Sequence, residues 1–300
     1  TVLMRLARGS GLDGLAGMAS ASATPWPLFR PLLGVTRQRL KATLQAAGQG
    51  WIDDPSNDDE RFERIRMRKA LSALAPLGVD AGRIAVSARR LGRASQALDL
   101  AAGTLKQSAF VGHRAGFGEI DLATYMDAPD ELRIRLLQML VWQFGSHDMP
   151  RLAALERLSD WIADGQGRAR TIAGCRIARR KRTLLIGREP GRIAAEPMQL
   201  DADGGCAEGV WDRRFRFRVS GARAKDVLSV VPFFALRAGN RRQTGDETAA
   251  MPAFVRAGLP ALLNHGEMHS VPHLGITGPP SRVRLSVDVV FFNPNEVRPR

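Results

Sequence analysis

Apolar residues recur at helical spacing through the middle of the chain. From Ala81 to Phe110 an Ala-, Leu- and Arg-rich stretch keeps the helix period, which predicts one long helix or two stacked ones. Pro129 to Phe144 predicts a second, because Leu132, Ile134, Leu136, Leu137, Leu140, Val141 and Phe144 form a broad apolar face, and Arg151 to Ala163 a third. Residues 1–8 read as the end of a helix stopped by Gly9-Ser-Gly-Leu-Asp-Gly14, and Thr36 to Ala47 as a helix ended by Gly48 to Gly50. Between them the proline-rich segment Trp26 to Leu33 reads as extended. After Asp164 the period changes to two. Thr171 to Ala178 and Thr183 to Ile186 predict strands, and Val210 to Val219 alternates strongly enough for a half-buried strand pair. Further short strands are expected at Val227 to Val231, His269 to Val271 and Val283 to Phe292, with a short helix at Pro252 to Ala257.

This pattern divides the chain into residues 1–76, a helical part at 77–165 and a β-rich part at 166–300, an α+β multidomain organisation for 300 residues. The helical pattern is already running at Thr1, which reads as a cut through an element, so the chain is expected to be a piece of a longer protein. No signal-peptide pattern opens it, and the longest apolar run, Val230 to Leu236, is interrupted by Pro232 and falls far short of the about 20 residues of a membrane span. Cys175 and Cys206 stand alone without zinc or disulfide spacing, which fits a reducing cytoplasm.

Charge changes the picture more. The net charge of +14 and pI near 11.2 come mostly from arginine and point to an acidic partner, nucleic acid first and an anionic membrane surface second. The segment Trp51-Ile-Asp-Asp-Pro-Ser-Asn-Asp-Asp-Glu60, followed by Arg61-Phe-Glu-Arg-Ile-Arg-Met-Arg68, joins a carboxylate turn to an arginine comb. Asp54 before Pro55 favours extended backbone, and Ser56 and Asn57 suit helix capping, so a helix is expected to begin near Asn57 or Asp58 and to close near Pro76. Arg64 and Arg68 then share a face, with Arg61 nearby and Arg66 off that stripe. Forked guanidiniums bind phosphate oxygens through paired bonds, although the same spacing also describes a solvated helix face.

Other constellations carry less. Gly9, Gly11 and Gly14 give a literal G-x-G-x-x-G, but no strand precedes it and no acid lies between Asp13 and Asp53, so loop punctuation is favoured over a dinucleotide site. Backbone amides beside Arg8 remain open to a phosphate. His265, His269 and His273 with Glu267 have a metal-like spacing that Gly266 and Pro272 undermine, and no metal is assigned. In the basic runs Arg176 to Arg182 and Arg213 to Arg218, Phe215 and Phe217 alternate with Arg214, Arg216 and Arg218. A buried Phe face behind a solvated Arg face is the favoured reading, and the arginines stay available to phosphate.

In order and spacing, Thr1 to Met18, Arg30-Pro-Leu-Leu33, Trp51 to Asn57 and Arg64 to Arg68 resemble the bacterial tRNA(Ile)-lysidine synthase family. Gly174 to Pro190, Ala257 to Leu262 and Val271 to Gly275 resemble its alphaproteobacterial type more weakly. The resemblance implies the C-terminal remnant of an N-type ATP pyrophosphatase domain (adenine nucleotide α-hydrolase-like), then helical and β-rich tRNA-binding parts. It implies a cytoplasmic ATP-dependent ligase that adenylates the wobble cytidine of a CAU-anticodon tRNA(Ile) and joins L-lysine to C2, forming lysidine. By the same likeness Arg8, Gly9, Ser10 and Gly11 match a nucleotide-side loop, Asp54, Arg64 and Arg68 the catalytic positions, and Ser56, Asn57, Arg61 and Arg66 substrate and tRNA contacts. Arg179, Arg180, Arg182, Arg214 and Arg216 are added from the basic runs as tRNA contacts. The family's Ser-Gly-Gly-x-Asp-Ser phosphate loop for Mg-ATP is absent from these residues, so these 300 residues alone are expected to be inactive, whereas Ile65, where asparagine is common, bears only on a local contact. A non-catalytic basic RNA-binding module is the alternative. A DNA-binding regulator ranks lower, lacking a helix-turn-helix pattern, and a homodimer is left open.

Overall fold

The computed structural model describes residues 1–23, 27–52, 59–146, 148–203, 205–223, 225–236, 251–277 and 285–291. It combines α-helices with several β-sheets and divides into two compact units, Thr1–Leu100 and Ala101–Arg300.

The first unit holds helices α1 (Val2–Ala7), α2 (Leu12–Leu15), α3 (Arg37–Ala46) and α4 (Glu63–Leu74), the strand pair β1 (Ala21–Ala23) and β2 (Pro27–Phe29), and the first part of α5 (Ala81–Ala109). Thr36 caps α3, its hydroxyl accepting the Arg39 amide at 3.2 Å. Arg5 ties α1 to α2, donating to the carbonyls of Gly14 and Gly17 at 2.8 Å each. The Ala81 to Phe110 period resolves as a single helix.

The expected start of the arginine helix shifts. Residues 57 and 58 lie outside the described residues, and Asp59 to Phe62 form a turn, so α4 opens at Glu63. Asp59 is the cause: its carboxylate accepts the Arg61 amide at 2.9 Å and the Arg61 guanidinium at 2.7 Å, a local bond that competes with the helix ladder. Phe62, at φ −85° and ψ 124°, is extended.

In the second unit β3 (Phe110–His113), β4 (Phe117–Asp121), β5 (Ala169–Ile172), β6 (Cys175–Arg179) and β7 (Thr183–Arg188) form an antiparallel sheet ordered β3-β4-β7-β6-β5. The strands β3 and β4 come from a stretch without a strong period. Helices α6 (Leu122–Asp127), α7 (Asp130–Phe144) and α8 (Leu152–Asp164) bury Tyr125, Leu136, Leu140, Phe144, Leu155 and Ile162 against Ile120, Ile177 and Leu184 of this sheet. Cys175 belongs to this core, and burial pushes its thiol up to about 12, which keeps it protonated and unreactive.

Two more antiparallel sheets follow. One is ordered β16-β11-β10-β9 and the other β15-β14-β13-β12-β8. They comprise β8 (Met198–Leu200), β9 (Ala202–Asp203), β10 (Cys206–Trp211), β11 (Phe215–Ser220), β12 (Leu228–Pro232), β13 (Pro260–Asn264), β14 (Glu267–Val271), β15 (Ile276–Thr277) and β16 (Ser286–Phe291), with α9 (Ala253–Ala257) before β13. In β11 Phe215, Phe217 and Val219 are fully buried while Arg216 and Arg218 face solvent, as the alternation predicts. Each buried ring contributes about 1.5–3 kcal/mol. The β3–β4 turn presses on this core: Gly116, at φ +75°, leaves no room for a Cβ, which would come within 2.7 Å of Phe215.

His273, in the turn Pro272–Leu274, meets Phe215 edge-on at 5.1 Å. Burial holds its imidazole below the ordinary 6.5, only partly offset by a hydrogen bond to the Arg114 backbone. An unfolded chain therefore takes up a proton first as the pH falls, so stability is present above about pH 6.5 and declines below it. His273→Gln is expected to flatten the fall in urea midpoint between about pH 6.5 and 5.5. His269, shifted the same way by burial, supplies a residual slope.

Candidate functional site

The basic residues of α4 are sorted by what holds them. Arg66 donates to the Glu60 carbonyl at 2.7 Å and the Arg61 carbonyl at 3.0 Å, pinning the turn in front of the helix. Arg61 is paired with Asp59, and that hydrogen bond holds the Asp59 carboxyl below the usual carboxylate range. Lys69 is paired with Glu60. Among the described residues Arg64 and Arg68 have no side-chain partner, and both are exposed on the side away from buried Ile65. They are one turn apart, which leaves two guanidiniums side by side for an anion.

Arg8 reaches this helix. Its guanidinium pairs with Glu63, so the loop after α1 lies against the start of α4. The amides of that loop are occupied. Arg8 N donates to Arg5 O at 3.2 Å, Gly9 N to Leu6 O at 3.0 Å and Ser10 N to Arg5 O at 3.0 Å, closing the end of α1. Arg8, Gly9 and Ser10 therefore present no free backbone donors to a phosphate, and Gly11 only opens the four-residue α2. The described part of this loop does not fit a nucleotide cradle. Asp54, Ser56 and Asn57 lie outside the described residues.

The second unit has its own basic surface. At the β6–β7 turn Arg180, Lys181 and Arg182 are exposed and, with Gly167 and Arg168, line a shallow open depression. Arg179 is anchored, donating to the Ile162 carbonyl at the end of α8 and stacking its guanidinium 5.7 Å from the Trp161 ring centre. A cation there suits the negative end of α8 and fixes the strand from which the exposed three project.

Arg214 departs from its expected place beside Arg216. It lies in the turn Asp212–Arg214, outside β11, and is 3% exposed. Its guanidinium lies 2.7 Å from Asp212, which Arg188 approaches from the other side at 3.3 Å. A guanidinium so enclosed reaches no solvent-borne phosphate, whereas Arg216 lies on the exposed outer face of β11.

Sequence reading missed Glu63, Lys69, Arg168 and Lys181. Glu63 and Lys69 were visible as opposite charges within the comb, and Lys181 sits inside the basic run already noted; Arg168 needed the β5–β6–β7 meander to bring it alongside. His265, His269 and His273 do not converge, and among the described residues no group of three or more His, Cys, Asp or Glu side chains is placed to hold a metal. No helix among the described residues is long and apolar enough to cross a membrane.

Residues 1–75 match the PP-loop domain family. The chain is similar to tRNA(Ile)-lysidine synthases: that of Ruegeria pomeroyi is 33% identical over 285 residues, covering 92% of this chain and 63% of that protein. Those of Hyphomonas neptunium and a Bradyrhizobium species are 36% and 38% identical, each over 64% of this chain and over 53% and 60% of their own lengths. The chain thus spans less than two thirds of the length of each of these curated relatives.

Proposed function

We propose that the chain acts in the ATP-dependent ligation of lysine to the wobble cytidine of a CAU-anticodon tRNA(Ile), the tRNA modification that forms lysidine. The observation that carries this reading is the likeness to a tRNA(Ile)-lysidine synthase over 92% of the chain, together with the PP-loop domain match over residues 1–75, which takes in both the α4 arginines and the Arg8 loop. In the reaction the cytidine O2 attacks the α-phosphorus of ATP and pyrophosphate leaves. The lysine amine then attacks C2, AMP departs with the former O2, and the amine proton is lost. Arg64 and Arg68 are suited to hold an anion that gains or redistributes charge in these steps, whether pyrophosphate or tRNA phosphate. Arg61 and Arg66 are turn-forming residues whose effect on tRNA is indirect, and Asp54 is assigned to the lysine ammonium.

The natural gene product, given ATP, labelled lysine and CAU-anticodon tRNA(Ile), is expected to place label in the RNA. Withholding ATP or changing the wobble cytidine to uridine should abolish it, and label independent of both would reject the reading. The 300 residues alone are expected to bind tRNA without joining lysine, since the Ser-Gly-Gly-x-Asp-Ser loop is absent from them.

A second reading, a non-catalytic RNA-binding module, is favoured by one observation: the amides of Arg8 to Ser10 are already engaged. Both readings assign the Arg168, Arg180, Lys181 and Arg182 surface to tRNA backbone. Changing Arg180, Lys181 and Arg182 to Gln is expected to weaken tRNA binding and reduce the slope of log affinity against log salt by about 2. An unchanged slope would remove that surface from the interface.

A further inference from the structure

Resting on the reading that RNA meets α4, we propose that Phe62 is a stacking platform for an unpaired nucleobase of that RNA. Phe62 occupies the N-cap of α4, where Ser, Thr, Asp or Asn would satisfy the free amides, and it makes no side-chain cap. It is 52% exposed, and among the described residues its ring contacts no other aromatic ring and no cation.

The ring's position is built. Arg66 grips the carbonyls of Glu60 and Arg61, Lys69 holds the Glu60 side chain, and Asp59 holds the Arg61 amide. The two residues before Phe62 are thus fixed from both ends, and its own backbone is extended, so the ring is carried at the surface with little freedom left to lose on binding.

Its neighbours give the kind of ligand. Arg61 and Glu63 flank it in sequence, and Arg64 and Arg68 follow on the same helix without partners among the described residues. An apolar ring set among charges is a poor landing site for a protein surface, which asks for a contiguous apolar patch. It suits a single-stranded nucleic acid, whose bases offer π-faces while the backbone seeks guanidinium. A paired base hides both faces in its stack, so Phe62 favours a loop over a duplex.

The test measures binding of two RNA probes to the natural gene product at one salt concentration: a stem-loop with a seven-nucleotide loop, about the size of an anticodon loop, and the blunt duplex of the same stem. Phe62→Leu, which keeps the apolar bulk and loses the π-face, is expected to weaken stem-loop binding roughly tenfold and to leave duplex binding unchanged. Phe62→Trp should retain stem-loop affinity, with the new indole fluorescence quenched on binding. Wild-type affinity in Phe62→Leu, or equal weakening of both probes, would overturn the platform. If ATP-dependent lysine transfer persists in that case, the proposed function stands and only the platform fails. If the wild-type protein binds neither RNA, the functional reading fails and the platform with it.

Discussion

Asp212→Asn is expected to remove about 3–5 kcal/mol of folding stability, because it leaves the buried Arg214 guanidinium and the partly buried Arg188 guanidinium facing each other without their shared carboxylate. Arg188 also donates to the Ser146 hydroxyl and the Arg192 carbonyl, both at 2.9 Å, so it cannot turn out to solvent without breaking the end of β7 from its surroundings. Burial already pulls Arg214 below the ordinary arginine range, with Asp212 working against that pull. Asparagine is the informative replacement. It tolerates the left-handed backbone of Asp212, at φ 46°, so the loss reports charge and not turn strain. Arg214→Met, which leaves a balanced Arg188–Asp212 pair, should cost clearly less. Thermal unfolding checks both, with a drop of roughly 10 °C expected for Asp212→Asn. Equal small shifts would show that the cluster contributes little.

The second large effect falls on activity. Changing Arg64 and Arg68 together to Gln is expected to slow lysine transfer by the natural gene product about 10²–10³-fold, the magnitude typical of losing a preorganised donor to developing charge. Stability should hardly move, since both side chains are exposed and without partners among the described residues. Arg66→Gln should do the reverse in kind. It frees the Glu60 and Arg61 carbonyls and loosens the turn, so its loss of rate should be recovered in part at low temperature, where the turn refolds.

Those contrasts explain how far the sequence could be read. Phe215, Phe217 and Val219 alternate with Arg216 and Arg218, and a period of two has one structural solution when one face is apolar, so β11 was legible. Helices α5, α7 and α8 were legible for the same reason at the longer period. Strands β3 and β4 were not: Gly112, Gly118 and the turn residue Gly116 break any pattern, and the close approach of the Phe110 ring to Gly118 and of Gly116 to Phe215, which is distant in sequence, shows only in the fold. Arg214 looked like a member of the exposed row, yet the three-residue turn ends before Phe215 and turns it inward to Asp212. Arg61 and Arg66 were read beside Arg64 and Arg68 as guanidiniums available to RNA, and Lys69 was passed over. What separates them is which carbonyl or carboxylate the turn brings within reach, and that depends on the single competition Asp59 wins against the helix.

The decisive measurement is the mass of the wobble nucleoside recovered from CAU-anticodon tRNA(Ile) after incubation of the natural gene product with ATP and lysine. The expected result is a cytidine enlarged by one lysine less one water, lost in proportion when Arg64 and Arg68 are replaced. Unmodified cytidine in RNA that the protein demonstrably binds would contradict the ligase assignment and leave a binding module in its place.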